Sequence, residues 1–353
     1  MSPPDRPLTP DATSESYYGR PILKEPAWKT PDVPLYLFLG GLSGTSSVLA
    51  AAADLTGRPA LARVSRVTAG AGVLGSLGAL IHDLGRPGRF LNMLRVFKPT
   101  SPLSMGSWTI AAYGPLAAAA AASDLSGVLT VAGRVAGIGA AALGPAMATY
   151  TAVLIADTAI PAWHEAHPEL PFVFGGSATA SAAGTALAVA PLSETGPAVR
   201  MALAGAGLEI ASVEIMTRRL GLLAEPYSKG RAGKLMLAVK VLTVSGAAGA
   251  VLGRRSRVIS ALAGGCLVAG SAALRFAVFD AGIESARDPR YTVIPQRERL
   301  ARRAGQAARP DLTAHRGNES PLDRVTSFIR AFPRGRPDPA GSASTAGGCT
   351  VDS

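Results

Sequence analysis

An all-α integral membrane protein with eight transmembrane helices is the fold class predicted by three observations on this sequence of 353 residues. Hydrophobic residues make up 48% and charged residues only 17%, against about 25% charge in an average soluble protein. Forty glycines and a large excess of alanine add small residues without adding polar surface. The apolar residues gather into eight stretches, each near the ~20 residues that a helix needs to cross hydrocarbon. Aromatics, at 5%, imply no large soluble core of Phe, Tyr and Trp. Glycine has no period of three, which excludes collagen, and the apolar runs exclude disorder along the whole chain. Cys266 and Cys349 are too few for a disulfide framework, an iron–sulfur cluster or a zinc site.

Taken in order, residues 1–33 form a polar, proline-rich N-terminal segment. It has no basic stretch leading into an apolar one, so no cleaved signal peptide is expected. The membrane domain covers 34–280, with spans at about 34–54, 62–82, 105–123, 135–158, 170–190, 197–218, 234–253 and 257–279. Gly144-Pro145 interrupts the fourth, and the proline frees a backbone carbonyl that neighbouring helices or water must satisfy. Small residues recur at four-residue spacing: Gly40 and Gly44, Gly133 and Gly137, Gly176, Ala180 and Gly184, Gly249 and Gly253. In lipid such spacing lets backbones approach closely, which supports a tight bundle. Residues 281–353 are dominated by Arg, Pro, Gly, Ser and Asp, as in Arg330 to Arg336, and read as a disordered basic tail.

The formal charge of +11 reads as topology. The basic residues sit in short gaps between apolar stretches and form no aromatic-interleaved patch, so nucleic acid is not an expected partner. With eight spans both termini share one side. That side carries 13 Lys and Arg before the tail, which adds 12, and the other side carries 8. The positive-inside bias places both termini in the cytoplasm and the chain in the plasma membrane. Trp28, Trp108 and Trp163 all fall at span ends on the terminal side, where amphipathic rings prefer to sit.

Three terminal-side segments differ from ordinary loops. The first runs from Tyr17-Tyr18-Gly19-Arg20-Pro21 through Trp28 into Pro34-Leu35-Tyr36-Leu37-Phe38-Leu39-Gly40-Gly41. The second is His82-Asp83-Leu84-Gly85-Arg86-Pro87-Gly88-Arg89-Phe90. After it Phe90, Leu94 and Phe97 share a helical face opposite Arg89, Asn92 and Arg95, as in a short interfacial helix. The third is Lys98-Pro99-Thr100-Ser101-Pro102-Leu103-Ser104-Met105-Gly106-Ser107-Trp108.

On these motifs the sequence resembles the polysulfide reductase membrane subunit (NrfD/PsrC-type) family. The motifs cover about residues 17–115, and the eight-span count extends the likeness to about 280. The resemblance implies eight helices in two four-helix bundles. It also implies a complex with a subunit carrying four iron–sulfur clusters and usually a molybdopterin catalytic subunit. Menaquinol or another quinone would bind near the side that faces the cluster subunit. A quinone headgroup needs a hydrogen-bonding group at each carbonyl and a proton route to water. Tyr36, His82, Asp83, Arg86, Ser107, Trp108 and Tyr113 gather at similar depth on that side and are the candidates. In relatives the position aligned with Tyr36 can be a histidine; tyrosine keeps a donor but lacks the imidazole base. The competing reading has Asp83, Arg86 and Arg89 tying down a loop by ion pairing, with Trp108 as a belt residue.

Ionisable residues inside spans are costly unless paired or hydrated. Glu209 lies near the middle of the sixth span, while Glu214 and Lys240 reach similar depth, as in an ion pair. Asp157 and Arg275 fall toward the same end of the fourth and eighth spans. Glu209, Glu214, Asp157 and Lys240 are therefore candidates for a proton path from a quinone site to water. Structural ion pairing is the alternative, favoured for Lys240 and Arg275. Haem b would need paired intramembrane histidines, and only His82 borders a span. His164-Glu165-Ala166-His167 lacks the His-Glu-x-x-His spacing and reads as a solvated loop. With no redox metal in the chain, electrons must leave to a partner. The sequence thus reads as a quinone-reactive anchor of a multi-subunit oxidoreductase, not catalytic alone. A transporter or a purely structural anchor is the alternative, although a transporter would show inverted repeats and interrupted helices.

Overall fold

Every apolar stretch is a helix in the computed structural model, which describes residues 22–307 apart from Ala27 and Pro87. In chain order the helices are α1 (Asp32–Leu55), α2 (Pro59–Leu84), the short α3 (Gly88–Met93), α4 (Pro102–Ser126), α5 (Thr130–Ala156) and the one-turn α6 (Pro161–His164). They continue with α7 (Leu170–Val189), α8 (Gly196–Leu220), the one-turn α9 (Glu225–Ser228), α10 (Gly230–Leu252), α11 (Arg257–Arg287) and α12 (Arg290–Ala307). No strand occurs among the described residues. Tyr17 to Pro21, His315, Arg330 to Arg336 and Cys349 lie outside the described residues.

Local chemistry sets the ends. Proline occupies one of the first two positions of α2, α4, α7 and α8, where its missing N–H has no helical partner to lose. Gly85 (φ 69°) and Gly127 (φ 70°) end α2 and α4 in the left-handed region that a side chain would disfavour. Among the described residues six helices are long and apolar enough to cross a membrane: α1, α2, α5, α7, α10 and α11. Helices α4 and α8 match them in length but are less apolar; α8 alone carries Arg200, Glu209, Glu214, Arg218 and Arg219.

The chain divides into two units, one through Arg297 and one from Glu298. Within the first, α1 packs on α2 and α5, and α4 closes the ring by touching both of those. Helix α11 packs on α7 and α10, and α8 packs on the same two. Helices α1, α5 and α7 join the two groups. The recurring small residues lie at these contacts. A Cβ on Gly44 would come 2.5 Å from the Gly144 carbonyl oxygen, so α1 and α5 cross backbone to backbone beside Pro145. A Cβ on Gly176 would come 2.6 Å from the Glu209 nitrogen, and one on Gly184 2.7 Å from the Gly264 oxygen.

Two features depart from the sequence reading. Trp163 is not an outward-facing ring. It is fully buried, stacked on Trp28 (5.6 Å between centroids), and donates from Nε1 to the Val278 oxygen at 2.7 Å. Helical structure also runs past residue 280, through the end of α11 and all of α12. Arg, Glu, Gln and Ala favour helix without an apolar face, and within the second unit Glu298 and Arg302 pair one turn apart at 3.4 Å.

Candidate functional site

Tyr36 stands one turn inside α1 and is buried. Its hydroxyl is hydrogen-bonded to that of Tyr150 on α5, and the rings meet edge to face at 6.4 Å. Ser76 on α2 donates to the Tyr36 carbonyl at 3.1 Å. Gly106 on α4 leaves room for the Tyr150 ring, because a Cβ there would come 2.7 Å from Cε2. Helices α1, α4 and α5 thus meet at two phenols at the terminal side, and α2 is bonded to the Tyr36 backbone. Each phenol carries one proton, and a hydrogen bond between two phenols uses only one of them. The other is available to an acceptor.

His82 and Asp83 close α2 but do not join that pair. His82, 77% exposed, bonds through Nδ1 to Asp32 Oδ2 at 2.7 Å, and Asp83 Oδ1 accepts from the Lys29 amide at 2.9 Å. Together they fasten the start of α1 to the end of α2. Arg86 is exposed. Arg89 donates to the Leu84 oxygen at 3.1 Å, which closes the turn after α2.

On α4, Ser107 is buried and donates back to the Leu103 oxygen at 2.8 Å. Trp108 is 39% exposed, donates to the Val96 oxygen at 3.3 Å and meets Phe97 edge to face. Tyr113 lies deeper. Its hydroxyl is 2.8 Å from Ser43 Oγ, while Ser43 donates to the Ala69 oxygen at 2.6 Å. The single Ser43 proton is thereby used, so Tyr113 is the donor of the pair. Ser43 follows Tyr36 by seven residues, about 10 Å along the helix, so Tyr36 and Tyr113 are at different depths.

Among the ionisable residues, Glu209 on α8 is buried and accepts from Thr243 Oγ1 of α10 at 2.7 Å, its Oε2 has no hydrogen-bond partner among the described residues, and the buried Arg275 lies near enough to attract it. Arg275 on α11 is fully buried; Nη2 donates to the Phe174 oxygen at 2.9 Å and Nε reaches the Leu37 oxygen at 3.4 Å. The guanidinium lies 3.8 Å over the Phe174 ring, and Nη1 has no hydrogen-bond partner among the described residues, although Glu209 attracts the guanidinium. The other candidates are peripheral. The expected Glu214–Lys240 ion pair is replaced by Glu214 with Arg218 at 2.8 Å, one turn on along α8, and Lys240 is exposed. Asp157 is exposed at the end of α5.

Outside the spans, the terminal side is laced by ion pairs. Arg287 bonds Glu25 at 3.0 Å and holds its carboxyl below the usual range. Glu225 accepts from Lys229, Tyr291 and Arg290, which holds it low as well. Burial pushes the Tyr227 phenol up; its hydroxyl donates to the Ala162 oxygen at 2.9 Å. His164 and His167 each place Nδ1 on a backbone carbonyl, and no group of three or more His, Cys, Asp or Glu suited to a metal occurs among the described residues.

Tyr150, Asp32 and Ser43 were not among the sequence candidates. Tyr150 had a signal, as an aromatic residue in an alanine-rich helix just past Gly144-Pro145. Its pairing with Tyr36 depends on the register of α5 against α1, which the sequence does not carry.

A helical membrane protein that keeps hydroxyls and two charged side chains buried between apolar helices is the class these features define. More particularly, the chain belongs to the polysulphide reductase NrfD family, whose profile matches residues 24–224. Proteins of this family are membrane subunits of respiratory oxidoreductase complexes. The match takes in Tyr36, His82, Trp108, Tyr150 and Glu209, and ends before α10 and α11. No curated protein matches the chain.

Proposed function

We propose that the chain is the quinone- and quinol-binding membrane subunit of a multi-subunit oxidoreductase, passing electrons between menaquinol and an iron–sulfur partner. The observation that carries this reading is the Tyr36–Tyr150 pair, placed where four family-matched helices meet and holding one uncommitted phenolic proton. That proton suits a quinone carbonyl, and a bound quinone supplies the two-electron, two-proton chemistry that the chain's own side chains lack. Tyr36 and Tyr150 orient the headgroup and hold or release a proton at the phenol oxygen. His82 and Asp83 hold the start of α1, and therefore Tyr36, in place.

In this reading all eight long helices cross the plasma membrane as two four-helix bundles, with both termini cytoplasmic. The closed ring of α1, α2, α4 and α5 supports the first bundle, and the Lys and Arg asymmetry supports the orientation. The partners are a subunit with four iron–sulfur clusters and a molybdopterin catalytic subunit on the terminal side. Glu209 carries protons between the site and water, supported by its burial and by an Oε2 without a hydrogen-bond partner among the described residues.

Purification of the complex in mild detergent tests the proposal. Co-purifying menaquinone that is lost from a Tyr36→Phe/Tyr150→Phe variant, together with an iron–sulfur partner, is the expected result. A folded chain with neither bound quinone nor such a partner overturns it.

A further inference from the structure

Arg275 is a buried charge that the proposed function leaves unused, and its surroundings tie it to two places. On one side it holds α7 and α1. Nη2 donates to the Phe174 oxygen at 2.9 Å, an ordinary length, whereas Nε stands 3.4 Å from the Leu37 oxygen, beyond the usual range. Gly41, one turn on from Leu37, leaves room for the guanidinium, since a Cβ there would come 3.3 Å from Nη2. Leu37 directly follows Tyr36. The weaker of the two grips therefore falls on the turn that carries the phenol.

On the other side lies Glu209. Thr243 of α10 donates to its Oε1 at 2.7 Å, and Ser177 of α7 stands beside it. Ser177 in turn bonds Ser271 of α11 at 2.9 Å. Phe174 precedes Ser177 by one turn of α7, and Ser271 precedes Arg275 by one turn of α11, so the guanidinium lies about 5 Å along both helices from the hydroxyls at the carboxylate. Nη1 and Oε2, of opposite charge, are both buried without a hydrogen-bond partner among the described residues, and the two groups attract each other. The other charges nearby are engaged elsewhere. Lys240 on α10 is exposed and attracts Glu214, and Glu169 pairs with Arg219 at the end of α7 and α8.

We propose that Arg275 is a positioning residue that couples the charge on Glu209 to the placement of Tyr36. Ionised Glu209 draws Nη1 and slackens the long Nε–Leu37 contact. Protonated Glu209 leaves the guanidinium on Leu37, which steadies the first turns of α1. Because such a coupling is reciprocal, a proton at Glu209 and a quinone seated at Tyr36 favour each other. That last step rests on the quinone-binding reading; the coupling of Glu209 to α1 does not.

Hydrogen exchange of the full chain in detergent, without quinone, tests the coupling. The readout is the protection factor of the amides from Tyr36 to Gly41, relative to the free-peptide rate at the same pH. From acid to alkaline pH it should fall about fivefold further in the native chain than in Glu209→Gln, the worth of one ordinary hydrogen bond. Glu209→Gln leaves Arg275 and both its carbonyl acceptors in place, and any response of the His82–Asp32 pair is common to both chains and cancels. Arg275→Lys, which lacks the guanidinium fork, should respond as Glu209→Gln does. An equal fall in the native and Glu209→Gln chains overturns the proposal, as does no fall in either, because a merely structural Arg275 gives no difference. In the whole complex, the KM for menaquinol should rise with pH by a similar factor in the native protein and not in Glu209→Gln. A difference in protection without one in KM would leave the coupling standing and remove the quinone from Tyr36.

Discussion

Tyr36 and Tyr150 join α1 to α5 through their hydroxyls, and this contact holds two phenolic protons while using one. Tyr113, the other buried phenol of these helices, has its proton committed to Ser43. The two environments make opposite forecasts. Phenylalanine at either position 36 or 150 should lower quinol-linked turnover of the complex about 100-fold, the scale of a lost proton donor. Tyr113→Phe should leave turnover near the wild-type value. Equal effects at all three positions would mean that the phenols act only through packing.

Glu209→Gln keeps the acceptor that Thr243 uses and removes the titrating carboxyl. Quinol-linked turnover and proton uptake by reconstituted vesicles should both fall by about tenfold or more. Unchanged uptake would remove Glu209 from any proton path.

Arg275 is bonded to backbone oxygens of α1 and α7 and stacked on Phe174. Arg275→Met strands a buried carbonyl and should destabilise the protein by about 3 kcal/mol, read as a lower unfolding temperature in detergent. Lysine should not restore it, because an ammonium has no flat face for the Phe174 ring.

Gly44 meets Gly144 where α1 crosses α5. Gly44→Val should force the helices apart at a cost of about 2 kcal/mol, whereas Gly78→Ala, with nothing within 4 Å of the added carbon, should be close to neutral. Thermal unfolding of the two variants side by side checks this.

Glu25 has a carboxyl held low by Arg287, so its contribution is complete above its ordinary pKa of 4.5 and disappears as the pH falls through the lowered value. Amide protection factors around Glu25, the exchange rates taken relative to the free-peptide rate at the same pH, should therefore fall in acid. In Glu25→Gln protection should be low at every pH, and a protection factor that does not change with pH in the native chain would contradict the pairing.

The long helices were legible because apolar length is a property of the sequence alone. Each of the eight long helices starts and ends within a few residues of its expected bounds, except α11, which the apolar criterion stops too early. Position along the helix was legible in part: Tyr36, His82 and Trp108 stand toward the terminal end of their helices, but Tyr113, expected level with them, lies deeper beside Ser43. Rotation about each helix axis was not. Glu214 and Lys240 were placed at matching depth, yet Arg218 on Glu214's own helix is the partner. Tyr150 escaped notice because its hydroxyl meets Tyr36 only through the register of two helices that are far apart in sequence. Trp163 was read from position alone, and nothing local signalled that Trp28 and Val278 would enclose it.

Arg275 lies 238 residues after Leu37, whose carbonyl it reaches. During synthesis α1 is the first long helix available and α11 the last, so the Leu37–Arg275 contact can close only near the end of translation. Until then the Leu37 and Phe174 oxygens lack their guanidinium partner. Maturation of this subunit therefore has a late locking event, and a chain truncated before α11 would reach the bilayer as an unlatched intermediate, exposed to quality-control proteolysis.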